Sequence, residues 1–213
     1  ATLFNHVAIS LVSSEGCVDL ICRNEIVCIG LGNMHILSFH VNKHDTYKTV
    51  SVPKQQENEQ ICKLFMDPSG THLIVRTTIT YWYLHTSWEN QLFNLEVLNG
   101  LIIEHIAWDK KSRSSETTNN ILMASAKFIF DCRIDIPEVE FSKCEMKMKK
   151  VFEMKDYEQI TGLSWSFFDG EKSLVIVTTQ SRIYEFKATG SFQNIFESCD
   201  PCFLEFFYGS VSV

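Results

Sequence analysis

Sets of short apolar strands recur along this chain at a near-constant interval, and that recurrence limits the fold more than any single motif. Ile61-Cys-Lys-Leu-Phe-Met-Asp-Pro-Ser-Gly70 is followed by His72-Leu-Ile-Val75 and Thr80-Tyr-Trp-Tyr-Leu84. Ile103-Glu-His-Ile-Ala-Trp-Asp109, Ile121-Leu-Met-Ala-Ser125 and Phe128-Ile-Phe-Asp-Cys-Arg133 repeat the order. A third copy runs through Ile160-Thr-Gly-Leu-Ser-Trp165, Phe168-Asp-Gly170, Leu174-Val-Ile-Val-Thr-Thr179 and Arg182-Ile-Tyr-Glu-Phe186. An earlier one, with tighter turns, holds Val18-Asp-Leu-Ile-Cys22, Glu25-Ile-Val-Cys-Ile29 and His35-Ile-Leu-Ser-Phe39. The matched Met66-Asp67 and Trp108-Asp109 stand 42 residues apart. A period of about 40 to 45 residues with four short strands per unit predicts β-propeller blades.

The middle runs fit that architecture. Blades pack face against face, so their inner strands are covered on both sides and read as continuous apolar runs. His72-Leu-Ile-Val75 and Leu174-Val-Ile-Val177 do so, whereas a sandwich calls for cleaner alternation. No segment of twelve or more residues holds a 3.6 period, which makes the chain all-β. Residues 138 to 155 are ambiguous between a helical turn and an outer strand. Approximate blades fall at 7–52, 61–99, 103–153 and 160–208. With 213 residues the chain supplies four to five blades of a ring that usually closes with more, often about seven. Ala1 in place of Met and the strand-rich end from Phe203 to Val213 are expected of one part of a longer protein.

Composition excludes several functions. A net charge of −7 lacks the surplus of Lys and Arg that neutralises phosphates, so no nucleic-acid partner is expected. No apolar run approaches 18 residues. Most of the eight cysteines sit in apolar runs, Cys22 and Cys28 among them, and read as reduced, buried hydrophobes.

Candidate sites carry little chemistry. Trp108-Asp109 ends a first strand and has no upstream Gly-His, so it is not a WD-repeat signature. Trp108 and Trp165 are expected in the core. Asp67, Asp109 and Asp169 recur at equivalent positions, which points to a repeated turn role, and Asp67-Pro-Ser-Gly70 is turn chemistry. Cys199-Asp-Pro-Cys202 is a lone pair without the second pair that zinc requires, and His40 with His44 is the only close histidine pair. Gly30-Leu-Gly32 is a turn between strands with no helix to follow it. Lys143, Lys147, Lys149, Lys150 and Lys155 form the one basic cluster, diluted by Glu145, Glu153 and Asp156; direct lipid contact through it is left open. The polar tract 110–120 reads as a surface loop. His105 and Glu104 are the only innermost-strand residues eligible for channel chemistry, and neighbours on a strand point to opposite sides. No catalytic, cofactor-binding or metal residues are therefore assigned, no cofactor is expected, and the partner-binding residues are unknown.

Several segments resemble one family in order. Lys63-Leu-Phe-Met-Asp-Pro-Ser-Gly-Thr-His-Leu-Ile-Val75, Gly100 through Glu104 to Trp108, Asn120-Ile-Leu-Met123, Leu174 through Phe186, and Phe203-Leu-Glu-Phe206 are similar to segments of the vacuolar protein sorting-associated protein 18, or deep-orange, family. The resemblance covers roughly residues 18 to 208. That family usually has a glycine-containing turn where this chain has Ser125-Ala-Lys-Phe128. The resemblance implies an N-terminal propeller of a core subunit of the HOPS and CORVET membrane-tethering complexes, non-enzymatic and cytoplasmic. It would sit peripherally on late endosome and vacuole or lysosome membranes, with other class C subunits as partners and Rab GTPases and SNAREs as indirect ones. A propeller scaffold of another trafficking or coat complex, or a propeller enzyme, is the alternative.

Overall fold

The computed structural model describes residues 16–86, 91–108, 118–135, 144–155, 158–168, 171–179, 182–187 and 202–205. These residues form four antiparallel sheets, each of four strands in sequence order. The first sheet holds β1 (Cys17–Arg23), β2 (Ile26–Leu31), β3 (His35–His40) and β4 (Lys43–Ser51). The second holds β5 (Ile61–Met66), β6 (His72–Thr77), β7 (Tyr81–His85) and β8 (Leu92–Asn94). The third holds β9 (His105–Trp108), β10 (Thr118–Ala124), β11 (Phe128–Asp135) and β12 (Glu145–Glu153). The fourth holds β13 (Ile160–Phe168), β14 (Glu171–Thr178), β15 (Arg182–Lys187) and β16 (Cys202–Glu205). The ambiguous segment after residue 138 thus yields an outer strand, β12, and Glu25 falls in a turn rather than in β2. The described residues up to Gly100 form one compact unit and those from Leu101 a second.

In the first unit, alternation sends one face of each sheet into a shared core. Cross-strand partners share a face, so Leu64, Val75 and Trp82 lie in one row and Met66, Leu73 and Leu84 in the next. They pack with Cys28, Ile36 and Val50 of the first sheet, with Met34 of its β2–β3 turn and with Val52 just after β4. Fully burying side chains of this size contributes about 1.5–3 kcal/mol each. Gly30 lets β2 approach β5, since a Cβ there would stand 3.0 Å from Ile61 Cγ2. Asp19 ties the two sheets by their first strands, its Oδ2 accepting the Leu64 N–H at 2.7 Å.

The hairpin turns of this unit also meet. Asn24 and Glu25 have φ of 45° and 64°, the conformation of a two-residue turn whose twist matches the strands. Asn24 Nδ2 donates to Ser69 O at 2.9 Å, across to the expected Asp67–Gly70 turn. Gly70 has φ of 77°, and a Cβ on it would lie 2.8 Å from Arg23 O, so both backbone conformation and space demand glycine.

In the second unit, Ala107, Leu122, Ala124 and Ile129 pack with Ile160, Leu174, Ile176 and Phe186. Phe152 meets Phe186 edge to face at 5.7 Å. Ile160 N–H donates to Ala126 O at 2.7 Å, fixing where β13 begins against the β10–β11 turn. That turn closes without glycine: Ser125 N–H donates to Phe128 O and Ser125 Oγ accepts the Phe128 N–H. Neither Ala126 nor Lys127 takes a positive φ.

Candidate functional site

The most organised polar groups in the described residues are two buried glutamates, each placed two residues ahead of the first strand of its sheet. Glu59 is 0% exposed. Its Oε1 accepts hydrogen bonds from the hydroxyls of Thr77 and Thr80, the latter at 2.6 Å, and its Oε2 accepts the Gln55 N–H at 2.5 Å. Trp82 Nε1–H donates to Thr80 Oγ1 at 2.9 Å, which extends the network into β7. Burial pushes the Glu59 pKa up, but the bonds from Thr77, Thr80 and the Gln55 and Gln56 backbone outweigh it and hold the group below the usual carboxylate range.

Glu158 repeats the arrangement in the fourth sheet. It is 5% exposed, pairs with Arg182 Nη1, and accepts from Tyr184 OH at 3.1 Å. Burial again acts upward, and Thr178, Arg182 and Tyr184 together lower its pKa. The two clasps share a register, although Thr77 Oγ1 bonds Glu59 while the buried Thr178 Oγ1 makes no hydrogen bond among the described residues. Ile61 pairs with Thr77 and Ile160 with Thr178, each followed by a register shift. Thr78 N–H donates to Gln60 O at 2.9 Å, and Thr179 N–H to Gln159 O at 2.9 Å. From the third strand, opposite Val75 and Ile176, Trp82 donates to Thr80 and Tyr184 donates directly to Glu158. A signal for this was present and missed. Glu59-Gln60-Ile61 and Glu158-Gln159-Ile160 are identical triplets, each followed by a Thr-Thr pair, Thr77-Thr78 and Thr178-Thr179.

A third polar cluster lies at the other end of the second sheet. Asp67 accepts the N–H groups of Ser69, Thr71 and His72 at 3.0, 2.8 and 2.8 Å, which is the expected turn role; Asp109 and Asp169 lie outside the described residues. His72 and His85 are cross-strand partners with ring centroids 5.4 Å apart. His72 Nδ1 lies 2.8 Å from Tyr83 OH. Burial pushes His72 down to about 4 and lowers His85 as well, despite the nearby Asp67 charge.

The remaining sequence candidates are placed as structural groups. Lys147 Nζ lies 3.4 Å from Asp135 Oδ2, Lys149 faces Asp131 across the β11–β12 pair, and Lys150 Nζ lies 2.8 Å from Glu153 Oε2. The basic cluster is therefore interleaved with acids on its own sheet. Lys155 is exposed, and Lys143 and Asp156 lie outside the described residues, as do Cys199 and residues 110–117. Trp108 ends β9 half-buried, Trp165 packs against the core of the second unit, and Glu104 N–H donates to Ala124 O. Glu104 and His105 are both half-buried. His40 Nε2 lies 3.3 Å from Glu25 Oε2, and the His44 side chain lies outside the described atoms. No group of three metal-ligating side chains occurs among the described residues. Cys22 departs from expectation: it is exposed with Cys17 on β1, whereas Cys28 is buried and its thiol is pushed up to about 12.

Comparison with known proteins decides the lineage. The model of the Pep3/Vps18/deep orange beta-propeller domain matches residues 3–212. The chain belongs to this family. As a deep-orange-type propeller it is similar to the Vacuolar sorting protein 18 of Arabidopsis thaliana, 22% identical over 82% of this chain and 18% of that protein. It is similar too to the Vacuolar protein sorting-associated protein 18 homolog of Danio rerio, 26% identical over 84% of this chain and 19% of the relative. The chain thus spans about one fifth of the length of these curated relatives. Among solved structures, the complex of the fission yeast SREBP-SCAP binding domains matches with a TM-score of 0.68 at 10% identity, over 95% of this chain and 52% of that one. The WD40 domain of SCAP from fission yeast matches at 0.62 and 10% identity, over 91% and 46%. At such identity the likeness shows the fold alone, and that fold is a β-propeller.

Proposed function

We propose that this chain is a non-enzymatic interaction scaffold, the propeller of a core subunit of the HOPS and CORVET tethering complexes in transport from endosome to vacuole or lysosome. The observation that carries this reading is the family match over residues 3–212, joined by relatives named for vacuolar sorting. Propellers suit the task because their loops display broad, rigid surfaces. The described acids and histidines support a scaffold as well, since Glu59, Glu158, Asp67 and His72 are each engaged in holding strands or turns. On this reading the protein acts peripherally on late endosome and vacuole membranes, without a cofactor, through other class C subunits and indirectly through Rab GTPases and SNAREs. Affinity purification of the full-length protein tests it. Class C tethering subunits are expected to co-purify, and their absence overturns the proposal.

A further inference from the structure

We infer that Asn99-Gly100 is a site of spontaneous covalent modification, at which Asn99 loses its side-chain amide nitrogen and becomes aspartate or isoaspartate. This goes beyond the scaffold reading and does not depend on it. Asn-Gly occurs once in the chain, where the described residues pass from the first compact unit to the second.

The chemistry needs a neighbouring nitrogen and water. The Gly100 amide nitrogen gives its proton to hydroxide and attacks Asn99 Cγ, closing a five-membered succinimide as the Cγ–Nδ2 bond breaks and ammonia leaves with a proton from water. Water then opens the ring. Addition at Cγ restores the original main chain with an aspartate side chain, and addition at the Asn99 carbonyl carbon leaves the chain running through Cγ as isoaspartate. One water enters, one ammonia leaves, and nothing is oxidised or reduced.

The structure removes the usual obstacles to ring closure. A side chain on the following residue crowds the attack, and glycine has none. Asn99 and Gly100 are both exposed, so base and water reach them. Gly100 makes no hydrogen bond among the described residues. Asn99, with φ of −60° and ψ of 134°, is extended and holds the Gly100 nitrogen away from its Cγ, so the peptide between them must turn before it reacts. Gly100 is able to absorb that turn, having a φ of 82° and nothing within 4 Å of an added Cβ. Asn24, Asn42 and Asn58 are exposed too, but Glu25, Lys43 and Glu59 follow them.

The consequence comes from what stands on either side. Leu98 and Ile103 are both 0% exposed and fix the two ends of this short crossing. Isoaspartate adds a methylene to the main chain between them, and the fixed spacing has to give. The next backbone bond is Glu104 N–H to Ala124 O at 2.9 Å, at the start of the third sheet, and it is expected to loosen.

Ageing the full-length protein at neutral pH and mapping its peptides by mass spectrometry tests this. Asn99 is expected to gain one mass unit, to take up solvent oxygen in heavy-oxygen water and to become a substrate for isoaspartyl methyltransferase, about tenfold or more faster than Asn42 or Asn58. Gly100→Ala is expected to slow the conversion, and Asn99→Gln, whose longer side chain misses the five-membered ring, to stay intact over the same period. Amide exchange at Glu104 is expected to quicken in the aged wild type and to stay constant in the aged Asn99→Gln variant. Conversion of Asn99 no faster than of Asn42 and Asn58, or an unchanged rate in Gly100→Ala, overturns the site. Unchanged exchange at Glu104 in converted protein overturns the structural consequence.

Discussion

Thr80 Oγ1 lies 2.6 Å from Glu59 Oε1 and accepts the Trp82 indole N–H at 2.9 Å, so one hydroxyl joins the entry of the second sheet to its third strand. Thr80 is 3% exposed and water does not replace either bond. Thr80→Val keeps the shape, removes both bonds and strands the indole N–H; the expected loss is about 1–3 kcal/mol. Glu59→Leu removes the acceptor from two hydroxyls and a backbone N–H, and is expected to cost more than Thr80→Val. Urea unfolding and amide exchange in β5 to β7 check both, and unchanged protection would show that the clasp is incidental.

Acid acts on this chain through groups that resist protonation when folded. His72 titrates near 4 in the fold against an ordinary value near 6.5, so between those values the unfolded chain binds more protons. Its contribution is intact above about 6.5 and is lost as pH falls toward 4, at a limiting slope near 1.4 kcal/mol per pH unit. Glu59 and Glu158, both held low, contribute above the ordinary carboxylate range and lose that contribution as pH falls through their folded values. Unfolding midpoints measured from pH 7 to below the ordinary carboxylate range are expected to fall first with His72 and then with the glutamates, and His72→Gln is expected to flatten the upper part of the curve.

Gly70 is the position least able to accept a side chain. Gly70→Ala places a methyl 2.8 Å from Arg23 O in a left-handed backbone, at an expected cost of about 1–3 kcal/mol. Gly100→Ala is the control, since its φ of 82° is also left-handed but nothing lies within 4 Å of the added Cβ. Thermal unfolding is expected to separate the two, with Gly70→Ala the lower.

The lysines of β12 are expected to leave membrane binding unchanged. Lys147, Lys149 and Lys150 each face an acid on β11 or β12, so the strand carries little net positive charge and the wild type already gains no binding to an anionic surface through it. Cosedimentation with phosphatidylserine vesicles at physiological salt is expected to give equal bound fractions for the wild type and for the Lys147→Ala, Lys149→Ala pair. A drop for the pair would restore the lipid reading of this strand.

Much of the fold was legible because blade strands write their environment into their composition. Leu73, Ile74 and Val75 are all 0% exposed, as a strand covered on both faces requires. β14 departs on one face: Leu174 and Ile176 are fully buried while Val175 and Val177 are half-buried, a difference that an unbroken apolar run does not reveal. The segment after residue 138 stayed ambiguous because its lysines fit either element. Its outer-strand role comes from the pairing of Met148 with Cys132 and of Phe152 with Ile129. Cys22 sits among apolar neighbours in sequence, yet along β1 only Asp19 and Ile21 are even half-buried.

Local physical chemistry is what the amino-acid order determined by itself: short strands of repeated period, the Asp67 turn with a glycine where φ must be positive, and the family to which those packing residues belong. Only the tertiary structure decided which polar groups matter. Glu59 and Thr77 are 18 residues apart in the chain, Glu158 and Arg182 are 24 apart, and each pair meets only when a sheet brings the chain ahead of its first strand beside the end of its second or the start of its third. A carboxylate written in sequence as one more surface acid becomes a buried clasp because folding removes its water and supplies hydroxyl and N–H donors in exchange.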